Sequence, residues 1–324
     1  MAPSVTSSPG TIPRSGAAAD PAPERHRAGR VSQVVNSRLL WAAPALLFLV
    51  VFFVYPLWLL VDTSLREVSL GTAASSGNPF VGLDNYAALG ENRDFLASVP
   101  RTVVFLLGTV ALQLVVGILL AMALASKLRG LTVPRFVVYF VWLLPPVVSG
   151  AIWKFALDGS EQGAVNAALL RLGLVDQPVL FLTTPWLAMV LIALVNAWAG
   201  IPFVAIIMTA ALKDVPEDHY EAARVDGASP LQRFRHITLP TVMPTIGILS
   251  ALLVIYSFKA FDFIFVLTQG GPGTSTATVP FLAYLVSFTQ FDFGQGSAIG
   301  MVAVAFSLVF AMPYIVSTWK ERRS

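Results

Sequence analysis

The sequence predicts an all-α membrane protein with six transmembrane helices. Of its 324 residues, 56% are hydrophobic and only 12% are charged, whereas an average soluble domain carries about 25% charged residues. The mean hydropathy is +0.73, so a surface this poor in charge would not keep the chain in water. Six apolar stretches are also long enough to cross the hydrocarbon core of a bilayer, which takes about 20 residues each.

The six predicted spans account for most of the chain and form one membrane domain, residues 39–324. They are residues 39–61, 101–125, 135–156, 185–212, 241–268 and 297–318. Residues 1–38 are rich in Pro, Ala, Ser and Arg and contain no apolar run, so we predict a disordered cytoplasmic tail. A cleaved signal peptide is the alternative for the first span, but its apolar run exceeds the roughly 7–15 residues of a signal.

The distribution of Lys and Arg predicts that both termini are cytoplasmic. Cytoplasmic loops of membrane proteins are enriched in these residues. The tail, the loop at 126–135, the segment 213–240 and the C-terminus hold most of them, whereas the outer segments hold Arg66, Arg93, Arg101, Lys154 and Arg171.

Several classes of function are excluded by missing residues. The chain has no cysteine, which excludes disulfides, thiolate metal sites and a cysteine nucleophile. Its three histidines lie outside the predicted spans, so we expect neither a metal site nor a catalytic site in the membrane. None of its lysines follows a glycine, and a phosphate-binding P-loop requires that pair. No basic patch with interleaved aromatics suggests nucleic-acid binding.

The segment 213–240 between spans four and five is 28 residues long, against about 2–8 for most helix connections. We predict two short helices there. Asp214 would cap the first, with Pro216 in its first turn and Glu217 at capping-box spacing, and Gly227 would end it with a positive φ. Ser229 and Pro230 would start the second. From the residues alone, the segment is either a solvated linker or a docking segment whose small side chains let a partner approach.

Residues 221–240, EAARVDGASPLQRFRHITLP, resemble the cytoplasmic signature of binding-protein-dependent ABC importer permeases. That signature is Glu-Ala-Ala, three residues, Gly, nine residues, then Ile-x-Leu-Pro, and every element is present. In that family the segment is the coupling helix, which docks on the ATP-hydrolysing subunit. The resemblance therefore implies the fold of a type I ABC importer transmembrane domain. It also implies that the ATPase-coupling residues are Glu221, Ala222, Ala223 and Gly227.

Residues 258–300 narrow the class, because they are similar to carbohydrate permeases of the maltose and glycerol-phosphate type. The shared elements include Thr-x-Gly-Gly-Pro at 268–272, Tyr55-Pro56, Leu144-Pro145 and the stretch 196–203. One departure is Arg101-Thr102 at the start of span two, where many members carry Asn-Thr. We therefore expect the local contact at the outer face to differ.

The resemblance implies a permease subunit of an ATP-driven importer that translocates a sugar delivered by an extracytoplasmic solute-binding protein. Di- and oligosaccharides, monosaccharides and glycerol-phosphate-like compounds all remain open. Implied partners are a second homologous permease, two ATP-binding cassette subunits, the binding protein and lipid of the bacterial inner membrane. ATP and Mg would bind the partner ATPase subunits, with no cofactor and no enzyme activity in this chain. The alternative is an ion-gradient-driven secondary transporter or facilitator, which the scarcity of acids within the spans disfavours.

Candidate substrate residues lie in spans four and five, where polar and aromatic groups occur near helix interruptions. The resemblance implies that the substrate-binding positions are Gly200, Phe203, Tyr256, Ser257 and Ala260. For Phe203 and Tyr256, simple packing between helices is the alternative.

Lys259 and Asp262 have two interpretations. Ionisable residues inside a span are functional candidates by default, and these two would line a path for an anionic or zwitterionic solute. Alternatively, they form an ion pair on one helix face near the outer end of span five. We favour the ion pair, because similar permeases carry the same Lys-x-x-Asp.

Overall fold

The computed structural model describes residues 42–73, 77–126 and 130–321, and the regular elements in these ranges are all helices. The predicted tail, 1–38, lies outside the described residues. The chain divides into two units, Met1–Pro56 and Leu57–Ser324. The described part of the first unit is the beginning of a helix, and the second unit holds the features discussed below.

The helices are α1 Ala42–Ser64, α2 Leu70–Ala73, α3 Asp84–Glu91, α4 Arg93–Ala125, α5 Thr132–Leu143, α6 Pro146–Ala156, α7 Ala164–Arg171, α8 Pro185–Lys213, α9 Glu217–Val225, α10 Pro230–Phe258, α11 Phe261–Leu267, α12 Val279–Thr289 and α13 Phe293–Glu321. In the described ranges, α1, α4, α8, α10 and α13 each contain a stretch long and apolar enough to cross a membrane. Helices α1, α8 and α13 match predicted spans within a few residues at both ends. The exceptions are described next.

The predicted third span is broken into α5 and α6, which are bent by 106°. The break falls at Leu144 and Pro145, both in extended conformation with ψ of 129° and 139°. Proline has no N–H to donate and disfavours helical geometry in the preceding residue. The pair α5 and α6 thus accounts for a sixth span only if it is counted as one bent unit.

The predicted fifth span, 241–268, ends early. Helix α10 stops at Phe258, and α11 begins at Phe261. Between them, the N–H of Ala260 donates to Ser257 O at 3.1 Å and the N–H of Phe261 donates to Lys259 O at 2.6 Å. These tight turns replace helical hydrogen bonds, so the prediction of one continuous helix was wrong.

The second span begins at Arg93 rather than at residue 101 because the chain supplies a helix cap there. The Asn92 side-chain oxygen accepts from the N–H groups of Asp94 and Phe95 at 3.0 and 3.1 Å. Such a cap satisfies donors that have no partner inside the helix. Helix α4 therefore extends about two turns beyond the predicted apolar stretch.

The segment 213–240 is partly as predicted. Gly227 ends α9 with φ of +75°, and Ser229 forms a capping box with Gln232. The predicted cap by Asp214 was wrong, because Pro216 occupies the capping position of α9 and Asp214 directly follows α8. The predicted second short helix is the beginning of α10, which continues without interruption into span five.

The bundle of the second unit is built around the contact between α4 and α8. A Cβ placed on Gly117 would lie 2.5 Å from Cβ of Val204, so only glycine allows this close approach. Small residues bring transmembrane helices together in the same way elsewhere. One buried apolar cluster contains Phe263, Phe281 and Ile299, and a second one contains Val204, Met208 and Leu249. We call the second the inner cluster because it lies toward 213–240.

Candidate transport cavity and coupling segment

A cavity of about 380 Å³ lies beside the break between α5 and α6. Three predicted spans contribute its lining: Val141, Trp142, Leu144 and Pro146 from the bent pair, Ala199, Gly200 and Phe203 from α8, and Leu252, Leu253 and Tyr256 from α10. The rings of Trp142 and Phe203 are nearly parallel, with centroids 6.4 Å apart. A concave, mostly apolar site with few polar groups is typical of small-ligand binding.

Three of the five predicted substrate residues line this cavity, namely Gly200, Phe203 and Tyr256. The other two do not. Ser257 and Ala260 are buried, at 1% and 9% exposure. Tyr256 is 46% exposed, whereas the hydroxyl of the neighbouring Ser257 contacts Asn196 inside the bundle.

Ser257 belongs instead to a buried polar group that we call the amide cluster, formed by Gln113, Asn196 and Ser257. Nε2 of Gln113 donates to the backbone O and to Oδ1 of Asn196, at 3.2 and 3.3 Å. The Ser257 hydroxyl donates to the same Oδ1 at 3.5 Å. Oε1 of Gln113 and Nδ2 of Asn196 are buried with no hydrogen-bond partner in the described chain. The cluster therefore retains one free acceptor and one free donor.

Gly200 joins the amide cluster to the cavity. A Cβ at this position would overlap Nε2 of Gln113 and lie 2.8 Å from its Cδ. The missing side chain lets Gln113 pack against α8, while the backbone of Gly200 lines the cavity. Gln113 was not among the predicted site residues. The signal in the sequence was an amide inside an apolar span, since such residues commonly bond across helices.

The charged residues of the fifth span are not paired. Lys259 and Asp262 are both exposed, and within the described residues no ion pair joins them. The predicted pair was wrong because Lys259 lies in the break after α10 and Asp262 lies in the first turn of α11, so the two do not share one helix face. Among the residues that the structure describes, no group of three or more His, Cys, Asp and Glu side chains is placed to hold a metal ion.

Helix α9 has one face against the bundle and one open face. Tyr220 packs against the inner cluster, and its hydroxyl lies 2.8 Å from that of Thr238. The predicted coupling residues Glu221, Ala222 and Gly227 are exposed, and Ala223 is half-buried. The open face thus presents one carboxylate beside small side chains, so a partner can approach the backbone closely.

Arg101 and Thr102, where many similar permeases carry Asn-Thr, contact the loop 274–279, which the sequence predicts to be on the outer side. Nη1 of Arg101 donates to the carbonyl oxygens of Thr274 and Ala277, at 2.7 and 3.1 Å. The hydroxyl of Thr102 accepts from the N–H of Val279 at 2.9 Å. Together they hold the chain that follows the Thr-x-Gly-Gly-Pro element, so the expected local difference is an arginine brace.

A second outer loop is held by Asn166, which is fully buried. Its Nδ2 donates to the carbonyls of Asp158 and Val179, and its Oδ1 accepts from the N–H of Val179 at 2.9 Å. The hydroxyl and the N–H of Ser160 donate to the Asp158 carboxylate, which lowers the pKa of that exposed carboxyl below its ordinary value. Asn166 thus joins the two ends of the stretch 158–179, which follows α6.

Comparisons with known proteins match most of the chain. A family model described as "Binding-protein-dependent transport system inner membrane component" matches residues 113–323. The chain is 36% identical over 237 residues to the trehalose/maltose transport system permease protein MalF of Thermococcus litoralis, covering 73% of this chain and 79% of that one. It is 35% identical over 280 residues to the sulfoquinovosyl glycerol transport system permease protein SmoG of Agrobacterium fabrum, covering 86% and 88%.

Other similarities agree with these. The alpha-glucoside transport system permease protein AglF of Rhizobium meliloti is 30% identical over 308 residues, with 92% of this chain and 85% of that one covered. Among solved structures, a bacterial ABC transporter involved in the import of the acidic polysaccharide alginate matches with a TM-score of 0.74 and 22% identity. The match covers 91% of this chain and 99% of the alginate transporter chain. At that identity the similarity concerns the fold, which is that of an ABC importer transmembrane subunit.

Proposed function

The chain belongs to the family of binding-protein-dependent transport system inner membrane components, and from that premise we propose that it carries a di- or oligosaccharide, or a related sugar conjugate, across the membrane. It is a permease subunit of a sugar ABC importer. Such a subunit hydrolyses no ATP itself, and works with a second permease, ATPase subunits and a solute-binding protein. The comparisons lend no support to the gradient-driven carrier.

The observation that carries the proposal is the open face of α9 next to a bundle of permease fold. Because Gly227 ends α9 and Ser229 caps the helix that continues into span five, a push on α9 reaches α10 through a short turn. Helix α10 lines the cavity through Leu252, Leu253 and Tyr256. Closure of ATPase subunits against Glu221, Ala222, Ala223 and Gly227 would therefore tilt one wall of the cavity. Rigid-body movement of this kind underlies alternating access.

The solute class is supported by the cavity and by the relatives. Relatives are named for trehalose/maltose, alpha-glucoside and sulfoquinovosyl glycerol transport. Flat aromatic surfaces from Trp142 and Phe203 and the hydroxyl of Tyr256 suit a sugar, which has apolar faces and hydroxyl edges. Asn196 and Gln113, with their free donor and acceptor, would meet solute hydroxyls if α4 and α8 move apart. Ser257 and Ala260 then belong to the wall that the movement uncovers.

Three finer points belong to the same proposal. The termini lie in the cytoplasm, as the Lys and Arg distribution favours. Residues 39–324 form one permease domain, and residues 1–38 are a separate cytoplasmic tail. ATP and Mg bind the partner ATPase subunits.

The experiment compares uptake and ATP hydrolysis in proteoliposomes that contain the importer and its loaded binding protein. Glu221→Ala should lower coupled uptake about tenfold, which is the effect of a central interface residue. The matched control Glu161→Ala removes the same charge from an exposed residue outside α9 and should leave uptake unchanged. If the rate of uptake were unchanged by Glu221→Ala but abolished by an ionophore, the proposal would be overturned in favour of a gradient-driven carrier.

The cavity is tested by Phe203→Ala. Loss of this aromatic wall should slow uptake severalfold while the loaded binding protein still stimulates ATP hydrolysis, because the coupling face is untouched. Phe136→Ala, which removes an exposed aromatic of α5 outside the cavity lining, is the control. Equal effects of the two substitutions would assign Phe203 to packing alone.

A further inference from the structure

A second cavity, of about 290 Å³, lies on the bundle side of α9. Its walls come from the last residues of α4 and α8, from Tyr220 of α9 and from the first two turns of α10. The lining includes Met122, Leu212, Tyr220, Arg233, Phe234 and Thr238. We call it the inner-rim cavity, because α4 ends at Ala125 and α8 ends at Lys213. It therefore lies at the depth where the spans end and lipid headgroups begin.

Arg233 is the unexplained group in this cavity. Its side chain is half-buried, and Nε is fully buried with no hydrogen-bond partner among the residues that the structure describes. No carboxylate of the described chain forms an ion pair with it. A buried donor without an acceptor is costly, so such groups are normally hydrogen-bonded. An anion in the cavity would supply the missing partner.

The hydroxyl pair in the same wall also points to an acceptor. Tyr220 and Thr238 share one hydrogen bond of 2.8 Å. Because each hydroxyl carries one hydrogen, one of the two hydrogens is left to donate to a further group. An arginine and a free hydroxyl hydrogen together suit a ligand whose oxygens only accept, and phosphate is such a ligand.

The other residues that line the cavity favour the phosphate of a lipid headgroup. Met122, Leu212 and Phe234 are apolar and stand at the edge of the membrane-spanning helices, so they would accommodate a glycerol backbone and the first carbons of an acyl chain. Anionic headgroups are attracted to basic pockets between helices on the cytoplasmic side. Of the proposed ATPase-facing residues, Glu221, Ala222 and Gly227 are exposed, whereas Tyr220 packs against the bundle.

We propose that the inner-rim cavity binds the phosphate of an anionic phospholipid, with Arg233 as its cationic partner and the hydroxyl pair as a second donor. The site rests on the proposed placement of 213–240 at the cytoplasmic face. Occupied, it ties α9 to the inner ends of α4 and α8, so the lipid braces the segment that receives the push from the ATPase. Anionic lipid is then a structural partner of the coupling segment.

The test titrates fluorescent phosphatidylglycerol into the tagged full-length chain, in the assembly in which it purifies, held in phosphatidylcholine nanodiscs. Arg233→Gln should weaken saturable binding roughly 10- to 100-fold, as expected for hydrogen bonds to a charged group. The matched control Arg235→Gln removes the same charge two residues away from an exposed side chain and should change binding less than about twofold. A parallel calorimetric titration with inorganic phosphate separates a lipid from a free ion.

A second variant keeps the test decisive if Arg233→Gln fails to assemble. Leu212→Trp leaves the arginine in place and fills the cavity, so it should abolish saturable binding as well. The proposal would be overturned if both variants bound lipid with unchanged affinity, or if the protein bound inorganic phosphate tightly but did not bind lipid. If the Arg233→Gln variant lost its ATPase subunits but still bound lipid, Arg233 would belong to the subunit interface and the proposal would be overturned. Because lipid retention is read apart from uptake, failure here leaves the proposed transport function standing.

Discussion

Replacing Gly200 with alanine should destabilise the contact between α4 and α8. The added methyl would overlap Nε2 of Gln113 and lie 2.8 Å from its Cδ, so Gln113 has to move and give up its bonds to Asn196 at 3.2 and 3.3 Å. Overpacking a close contact costs roughly 1–3 kcal/mol, and a hydrogen bond between membrane helices averages about 0.6 kcal/mol. We expect the free energy of unfolding to fall by about 2–4 kcal/mol.

The assay is unfolding in mixed micelles by titration with sodium dodecyl sulfate. Gly108→Ala is the control, because no atom lies within 4 Å of a Cβ placed there. Gln113→Ala removes the obstructing side chain, so the double variant should recover at least about 1 kcal/mol relative to additivity. The reasoning would be refuted if Gly200→Ala lowered the free energy of unfolding no more than Gly108→Ala does, or if its effect were strictly additive with that of Gln113→Ala. Gly200 would then matter only for the lining of the cavity.

Three further substitutions test local contacts. Arg101→Gln removes the charged donor to two loop carbonyls, so the rate of amide exchange at 274–279 should rise at least tenfold, as measured by hydrogen exchange mass spectrometry. The control Arg171→Gln changes an exposed arginine and should leave that rate unchanged. Asn166→Ala removes a fully buried amide and leaves the N–H of Val179 without its acceptor, so it should cost about 1–3 kcal/mol of unfolding free energy. An unchanged melting temperature would contradict this. Ser229→Ala removes a capping box and should cost about 1 kcal/mol, seen as faster exchange at 230–236 and disproved by unchanged rates.

The existence of most spans was predictable, because it depends on a property of each segment by itself. Twenty apolar residues cross a bilayer whatever their neighbours are. The end of α9 at Gly227 was predictable for a different reason, since a glycine at that place in the 221–240 motif can take positive φ. Both the family and the permease function followed from these local features.

The bend at Pro145 and the break after Phe258 were not predictable in the same way. Proline is tolerated in transmembrane helices when neighbours satisfy the freed carbonyl groups, so its presence does not determine a bend of 106°. The wrong ion pair at Lys259 and Asp262 followed directly from assuming a continuous helix. Its failure is a consequence of the break rather than of the charges.

The composition of the candidate site depends on packing between helices. Tyr256 lines the cavity, whereas its neighbour Ser257 contacts Asn196 inside the bundle, and which of the two faces the cavity depends on how α10 packs. Gln113 lies on α4, a span that offered no candidate from sequence. Its role became visible only when Gly200 was seen to make room for it.

The central claim is that this chain is driven by ATP hydrolysed on partner subunits docked at α9. The most direct measurement is to purify the tagged chain from its own membranes in mild detergent, identify the co-purifying proteins by mass spectrometry and assay ATP hydrolysis with and without Glu221→Ala. We predict a second permease and an ATPase subunit with a P-loop, whose yield falls in the variant. A chain that purifies alone, without ATPase activity, and supports uptake that collapses with the ion gradient would contradict the account.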